Sequence, residues 1–258
     1  MLLDDPTIAE RLFFPRRAPL AQPFMVQCDG AELACHRRPA SAEGSSGNSG
    51  HRTFVHFHGN GEVVADYVDD YVAAIAELGL EVFMAEYRGY GGSTGSPAAA
   101  RMLDDVDAIF AAVARPAEQV VVYGRSIGSI YAIELARRQP GIAGLIIESG
   151  IADVLERLLV RITPRELGVS RAELEEAVTA AFDHRSKLAA YTGPLLVMHA
   201  RDDDLIDVRH AEQNYEWAGG AAKELVLFER GGHNAIMAAN WPEYIATIER
   251  FVGGLPAR

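Results

Sequence analysis

The chain has 258 residues, 49% hydrophobic and 23% charged, a balance that suits one globular domain and excludes a disordered, collagen-like or coiled-coil protein. Its 36 acidic residues against 24 basic ones leave a formal net charge of -12, which repels a nucleic-acid backbone or an anionic bilayer, and no lysine-rich tail reverses that sign, since Lys187 and Lys223 are the two lysines. No apolar run approaches the roughly 20 residues of a membrane span, and Met-Leu-Leu-Asp-Asp-Pro at the start carries acids where a secretory signal carries positive charge, so the expectation is a cytoplasmic protein with no membrane span and no nucleic-acid partner.

Beyond residues 1–20, 22–28 and 31–38 read as two strands joined at Asp29-Gly30, a strong two-residue hairpin turn. In that register Cys28 faces Ala31, and Cys35 lies on the order of 13 Å further along the partner strand. Bridged cysteines need Cα atoms within about 7 Å, so both are expected as reduced, structural thiols. The Ser/Gly-rich stretch 41–50 reads as a mobile surface loop. An apolar strand at 53–57 precedes residues 63–78, whose apolar positions (Val64, Tyr67, Val68, Tyr71, Val72, Ile75, Leu78) recur at helical spacing and stop at Gly79. A strand at 80–85 follows, then a helix reaching Val113, with Ser96 as its N-cap and Pro97 in its first turn. The strand at 120–123 runs at once into a helix ending near Arg138, and further strands are predicted at 144–148, 194–199 and 224–228, with helices near 208–218 and 241–252.

Short, nearly all-apolar strands separated by helices mark a parallel sheet covered on both faces. The fold class is therefore α/β: a doubly wound, mostly parallel sheet with an N-terminal antiparallel hairpin, a single domain over 1–258. Residues 151–190 break the alternation with successive helices, including capping boxes at Thr163–Glu166 and Ser170–Glu173. This segment reads as a small helical cap inserted over the carboxyl edge of the sheet, or alternatively as ordinary packing to one side.

The most specific chemical signal is Gly124-Arg125-Ser126-Ile127-Gly128, set between a strand and a helix. A serine on so sharp a turn is held in strained backbone, and glycines two residues either side avoid a β-carbon collision. The amino end of the helix lets the backbone N–H of Ile127 face developing negative charge. A serine hydroxyl is a poor nucleophile at neutral pH and needs a base, itself oriented by an acid. The acidic loop Ala200-Arg201-Asp202-Asp203-Asp204-Leu205-Ile206-Asp207 at the end of one strand supplies candidate acids. After the next strand, Glu229-Arg-Gly-Gly-His233-Asn234 offers a histidine on a glycine-rich loop. Serine, acid, histidine is the chain order this kind of sheet calls for. Glu148, ending an earlier strand, is another possible acid.

With these residues in place, the chain resembles the α/β-hydrolase superfamily, and is especially similar to its branch carrying a Gly-Arg-Ser-x-Gly-Ser elbow. The matching segments are His58-Gly59-Asn60-Gly61, Arg88-Gly89-Tyr90-Gly91-Gly92-Ser93 and Gly124-Arg125-Ser126-Ile127-Gly128-Ser129. The resemblance implies Asp203 as the acid, with Asp202 and Asp204 as rivals and Asp207 as a helix N-cap, and His233 as the base. It also implies an oxyanion hole from the backbone N–H groups of Asn60 and Ile127. The expected function is a serine hydrolase (carboxylesterase or thioesterase type) that cleaves an ester or thioester of a small-molecule or acyl substrate through an acyl-enzyme. No metal or organic cofactor is expected, and the oligomeric state is monomer or homodimer. Members of that branch that deacylate protein cysteines at membranes use a cysteine-rich, lipid-modified N-terminus, which is not expected here. A non-catalytic ligand-binding protein on the same scaffold is the alternative. His56 and His58 also form a weak metal-ligand pair against a buried structural role, and Arg88 reads either as a loop brace or as an anion ligand.

Overall fold

The alternation of side chains along a strand decides which face each residue buries. In the computed structural model, which describes residues 1–41 and 52–256, a short helix α1 (Pro6–Leu12) precedes the hairpin β1 (Phe24–Cys28) and β2 (Ala31–Arg38). The alternating part follows as β3 (Thr53–Phe57), α2 (Asp70–Glu77), β4 (Glu81–Ala85), α3 (Arg101–Val113), β5 (Val120–Arg125), α4 (Gly128–Arg138) and β6 (Gly144–Glu148). Then come α5 (Val154–Leu159), α6 (Arg171–Phe182), α7 (His184–Ala190), β7 (Leu195–Ala200), α8 (Arg209–Trp217), β8 (Lys223–Phe228), α9 (Gly232–Ala239) and α10 (Trp241–Gly253). The described strands form one sheet in the order β1-β2-β4-β3-β5-β6-β7-β8; β2 pairs antiparallel with both β1 and β4, and the remaining neighbours are parallel.

Successive strand residues feed two cores on opposite faces. Val55, Phe57, Phe83, Val122, Ile147 and Val197 pack beneath α3 and α4, while Phe54, Met84, Tyr123, Ile146 and Met198 pack toward α2 and α10. The strand order changes direction between β3 and β5, so the crevice at their carboxyl ends opens between the residues that follow each strand, Asn60 on one side and Ser126 on the other.

The hairpin register pairs Cys28 with Ala31 and Cys35 with Phe24 as the turn requires, and both thiols are free. Burial pushes each of them up to about 12. The stretch read as a loop at 41–50 falls, but for Ser41, outside the described residues.

Three expectations are corrected. The helix expected at 63–78 divides into a single 3-10 turn, Val64–Asp66, and α2. The Val64 N–H donates to the buried Glu86 carboxylate at 3.0 Å and the Val63 N–H to Asp66 at 3.1 Å, so the first turn is tied to a neighbouring strand end and the α-helix starts afresh at Asp70. The helix expected from Ser96 begins at Arg101 instead: Asp4 Oδ1 accepts the N–H groups of Ala100 (3.0 Å) and Arg101 (3.1 Å), so the cap comes from the far end of the chain. The histidine expected on a loop stands in the first turn of α9. Among the described residues no helix is long and apolar enough to cross a membrane.

Candidate active site

Strand β5 delivers Ser126 at its carboxyl end with φ at +52°, a left-handed conformation that costs a residue with a β-carbon about 1–3 kcal/mol. What holds it there is close packing of the two flanking glycines. A Cβ on Gly124 would stand 2.6 Å from the Ala132 Cβ and from the Gly128 carbonyl oxygen, and one on Gly128 would overlap the Phe57 carbonyl oxygen and stand 2.7 Å from that of His58. The helix therefore starts directly against β3. Ser129 Oγ bridges the turn, donating to the Ser126 carbonyl at 2.6 Å and accepting the Ile151 N–H at 2.9 Å.

His233 Nε2 lies 2.9 Å from Ser126 Oγ, and its Nδ1 lies 2.8 Å from Asp203 Oδ2. The three are 4%, 6% and 8% exposed for His233, Ser126 and Asp203, so the relay is screened from bulk water yet open to the cleft above it. The second oxygen of Asp203 accepts the N–H groups of Leu205 (3.0 Å) and Ile206 (2.8 Å). Burial alone pushes the Asp203 carboxyl up, but the hydrogen bond and charge of His233, the Ile206 N–H and nearby His199 outweigh it, and the group stays below its ordinary value. An ionised Asp203 places the imidazole proton on Nδ1 and turns the Nε2 lone pair toward the serine hydroxyl. His199, 3.4 Å from Asp203 Oδ2, is buried, and burial pulls it below the ordinary histidine value; its Nε2 donates to the Ile206 carbonyl at 2.8 Å, holding the loop that presents Asp203.

The neighbouring acids divide the other tasks. Asp202 accepts the N–H groups of Gly231 (3.3 Å) and Gly232 (2.8 Å), anchoring the turn that precedes His233. Asp204 is exposed, and Asp207 caps α8 by accepting the Arg209 N–H at 2.9 Å. Glu148 is not beside the histidine. The register of β5 on β6 sets it opposite Arg125, whose Nε lies 3.2 Å from Glu148 Oε1. Glu148 also accepts the hydroxyls of Tyr123 and Tyr244.

Arg125 is the main residue whose role sequence reading missed. It pairs with Glu62 at 2.5 Å as well as with Glu148, and Nη2 donates to the His233 carbonyl at 2.7 Å. Burial works against its charge, but Glu148 and Glu62 more than compensate and raise its pKa. The N-terminal segment was also missed: Asn60 Oδ1 accepts the Phe14 N–H at 2.9 Å while its Nδ2 donates to the Leu12 carbonyl at 2.6 Å, drawing Leu12 and Phe14 into the cleft wall. Asp5 capping the Thr7 N–H, with Pro6 at the first helical position, was the available signal for α1.

The cleft has a volume of about 220 Å³, and Asn60 and Ile127 line it together with Ser126 and His233. Beyond Leu12 and Ile127 lies an almost entirely apolar pocket walled by Ile8, Tyr131, Val154, Leu158 and Phe182, with room of about 10 Å³, one water-sized sphere. Arg88 braces loops: it forms a two-point pair with Asp105 (2.6 and 2.5 Å) and donates to the Asp29 carbonyl at 2.6 Å. His58 stands between Glu86 (2.7 Å) and the Gly59 carbonyl (2.8 Å), and His56 contacts the Tyr71 hydroxyl at 3.0 Å. Among the described residues no group of three metal-ligating side chains gathers around either.

The family model for serine aminopeptidase, S33, matches residues 49–171. Alpha/beta hydrolase domain-containing protein 17B of Xenopus laevis is 27% identical over 208 residues, a match that covers 78% of this chain and 66% of that protein, so about a third of the relative has no counterpart in the alignment. Among solved structures, the Pyrococcus furiosus esterase Pf2001 superposes with a TM-score of 0.70 at 15% identity, covering 93% of this chain and 98% of the esterase. The Paleococcus ferrophilus monoacylglycerol lipase gives 0.66 at 16% identity, covering 86% and 98%. The fold is that of the α/β hydrolases.

Proposed function

We propose that the protein is a serine hydrolase of the branch with the Gly-Arg-Ser-x-Gly-Ser elbow, cleaving a carboxylic ester or thioester through an acyl-enzyme. The observation that carries this reading is the Ser126–His233–Asp203 relay at 2.9 and 2.8 Å, on a strained turn at the floor of a cleft. Ser126 attacks the carbonyl while His233 Nε2 takes its proton; Asp203 keeps the ring in the right tautomer and stabilises the imidazolium. The N–H groups of Asn60 and Ile127 receive the oxyanion, a contribution of about 3 kcal/mol per donor in such sites. His233 then returns the proton to the leaving group, and water repeats the sequence to release the acid. Residues 151–190 act as a helical cap, supported by Ile151, Arg157 and Arg161 in the cleft wall. Small acyl groups suit the space: pockets for drug-sized ligands run about 300–1,000 Å³, and this cleft holds about 220 Å³.

The experiment is labelling with a fluorophosphonate probe together with hydrolysis of p-nitrophenyl and thioester substrates of increasing acyl length. Labelling that disappears in Ser126→Ala and His233→Ala, with turnover reduced by about a million-fold in Ser126→Ala, supports the reading. Ser126→Ala retaining a tenth of the wild-type rate refutes the assignment of the nucleophile, and a folded, unlabelled protein refutes the hydrolase reading and favours a ligand-binding role.

A further inference from the structure

The walls of the Ser126 cleft hold three arginines, Arg125, Arg157 and Arg161, and no aspartate or glutamate. In a chain of 36 acidic and 24 basic residues this is a local reversal of sign. Arg125 is neutralised by Glu62 and Glu148. Arg157, in α5, and Arg161, just past its end, have no such ion pair among the described residues.

The acids near them are engaged elsewhere. Glu156 pairs with Arg209 (2.5 Å) and approaches His210 (3.5 Å), Glu166 pairs with Arg11 (3.3 Å) and caps Thr163, and Asp203 serves His233 and two backbone N–H groups. Among the described residues no carboxylate pairs with either guanidinium. Arg161 lies over the ring of Phe14, 5.5 Å from its centroid, which fixes the cation at the cleft rim. Arg157 is half-buried, and burial there pulls its pKa below the ordinary arginine value. Glu156 and Asp203 offset only part of that loss and Arg161 adds to it, so the Arg157 guanidinium, with no carboxylate on its donors, is a ready partner for a planar or tetrahedral anion, which it can grip at two points.

Resting on the hydrolase reading above, we infer that the substrate carries an anionic group, a carboxylate or a phosphate, close to its scissile carbonyl, and that Arg157 and Arg161 bind that group while Ser126 attacks. Phe14 and Leu205, 44% and 38% exposed at the same rim, cover the short apolar spacer between the two ends. A neutral alkyl ester leaves both cations unmatched.

The test compares kcat/KM within two matched pairs. One places the charge on the acyl side: mono-p-nitrophenyl glutarate against p-nitrophenyl pentanoate. The other places it on the leaving group: butyryl-coenzyme A against butyryl-N-acetylcysteamine. The expected result is an anionic-to-neutral ratio of about tenfold or more in one pair, which identifies the source of the charge. The ratio falls several-fold in Arg157→Gln and in Arg161→Gln and approaches one in the double variant, while Arg157→Lys keeps more of it than Arg157→Gln; raising the salt also lowers it. A ratio near one in both pairs, or a ratio that survives the double substitution, overturns the inference. Fluorophosphonate labelling of the same preparations separates the two levels: labelling lost in Ser126→Ala alongside a flat ratio removes the anion site alone. Neither labelling nor turnover of any of the four substrates removes the hydrolase reading and this inference with it.

Discussion

Replacing Arg125 with methionine keeps most of the side chain's length and removes its charge, which makes it a direct test of what organises the floor of the site. Glu148, fully buried, keeps the hydroxyls of Tyr123 and Tyr244, and Glu62 keeps the Gly59 N–H and the Tyr67 hydroxyl, but each carboxylate loses the cation beside it. Breaking a buried ion pair from one side costs about 3–5 kcal/mol; with those hydrogen bonds retained, the lower end, about 3 kcal/mol, applies. For a chain of this size each kcal/mol moves Tm by about 2–4 °C, so Arg125→Met is expected to melt about 6–12 °C below the wild type. The bond from Arg125 to the His233 carbonyl is lost as well, so kcat/KM falls even well below the melting range. Combining Arg125→Met with Glu62→Gln and Glu148→Gln should recover part of the Tm, because neutral amides need no counter-charge, without restoring the contact to His233. Thermal unfolding by circular dichroism and steady-state kinetics at 20 °C read the two effects separately. A single variant that melts within about 2 °C of the wild type, or a triple variant no more stable than the single one, would refute the reasoning.

Asp203→Asn should leave the fold in place and lower kcat by about 10⁴-fold, because an amide favours the wrong imidazole tautomer; a loss under tenfold would assign the orienting role to another group. His58 gives a pH-dependent contribution. Burial disfavours its protonation, but the Glu86 carboxylate and the Gly59 carbonyl outweigh burial and raise its pKa above 6.5. Stability from this pair is therefore fully present below pH 6.5 and is lost as pH rises through the folded-state value. Urea unfolding from pH 6 to 9 should show that decline in the wild type and a flatter profile in Glu86→Gln; equal slopes would contradict it. Phe182→Ala, which enlarges the apolar pocket beyond Leu12 and Ile127, should move the preferred acyl chain toward greater length at a stability cost of about 3–5 kcal/mol, read from the same p-nitrophenyl series. An unchanged chain-length optimum would show that acyl groups do not enter there.

Sequence alone determined the features that local chemistry enforces. The short, nearly all-apolar runs at β3, β5, β6 and β7, alternating with helices, suit strands covered on both faces, and Asp29-Gly30 set the hairpin register to the residue. The elbow at Ser126 was legible because two glycines around a serine, between strand and helix, answer a steric demand within a few residues. Tertiary structure decided whatever depends on partners distant in the chain. Three consecutive aspartates look alike in one dimension, and only the placement of α9 gives Asp203 the histidine, Asp202 the turn before it and Asp204 the solvent. The start of α3 is not written locally, because its cap is supplied by Asp4, 96 residues away from Ala100, and Arg125 has no readable role until strand register sets it beside Glu148. Short-range sterics and periodicity are written along the chain, whereas the pairing of buried charges is a property of which strand ends come to lie side by side.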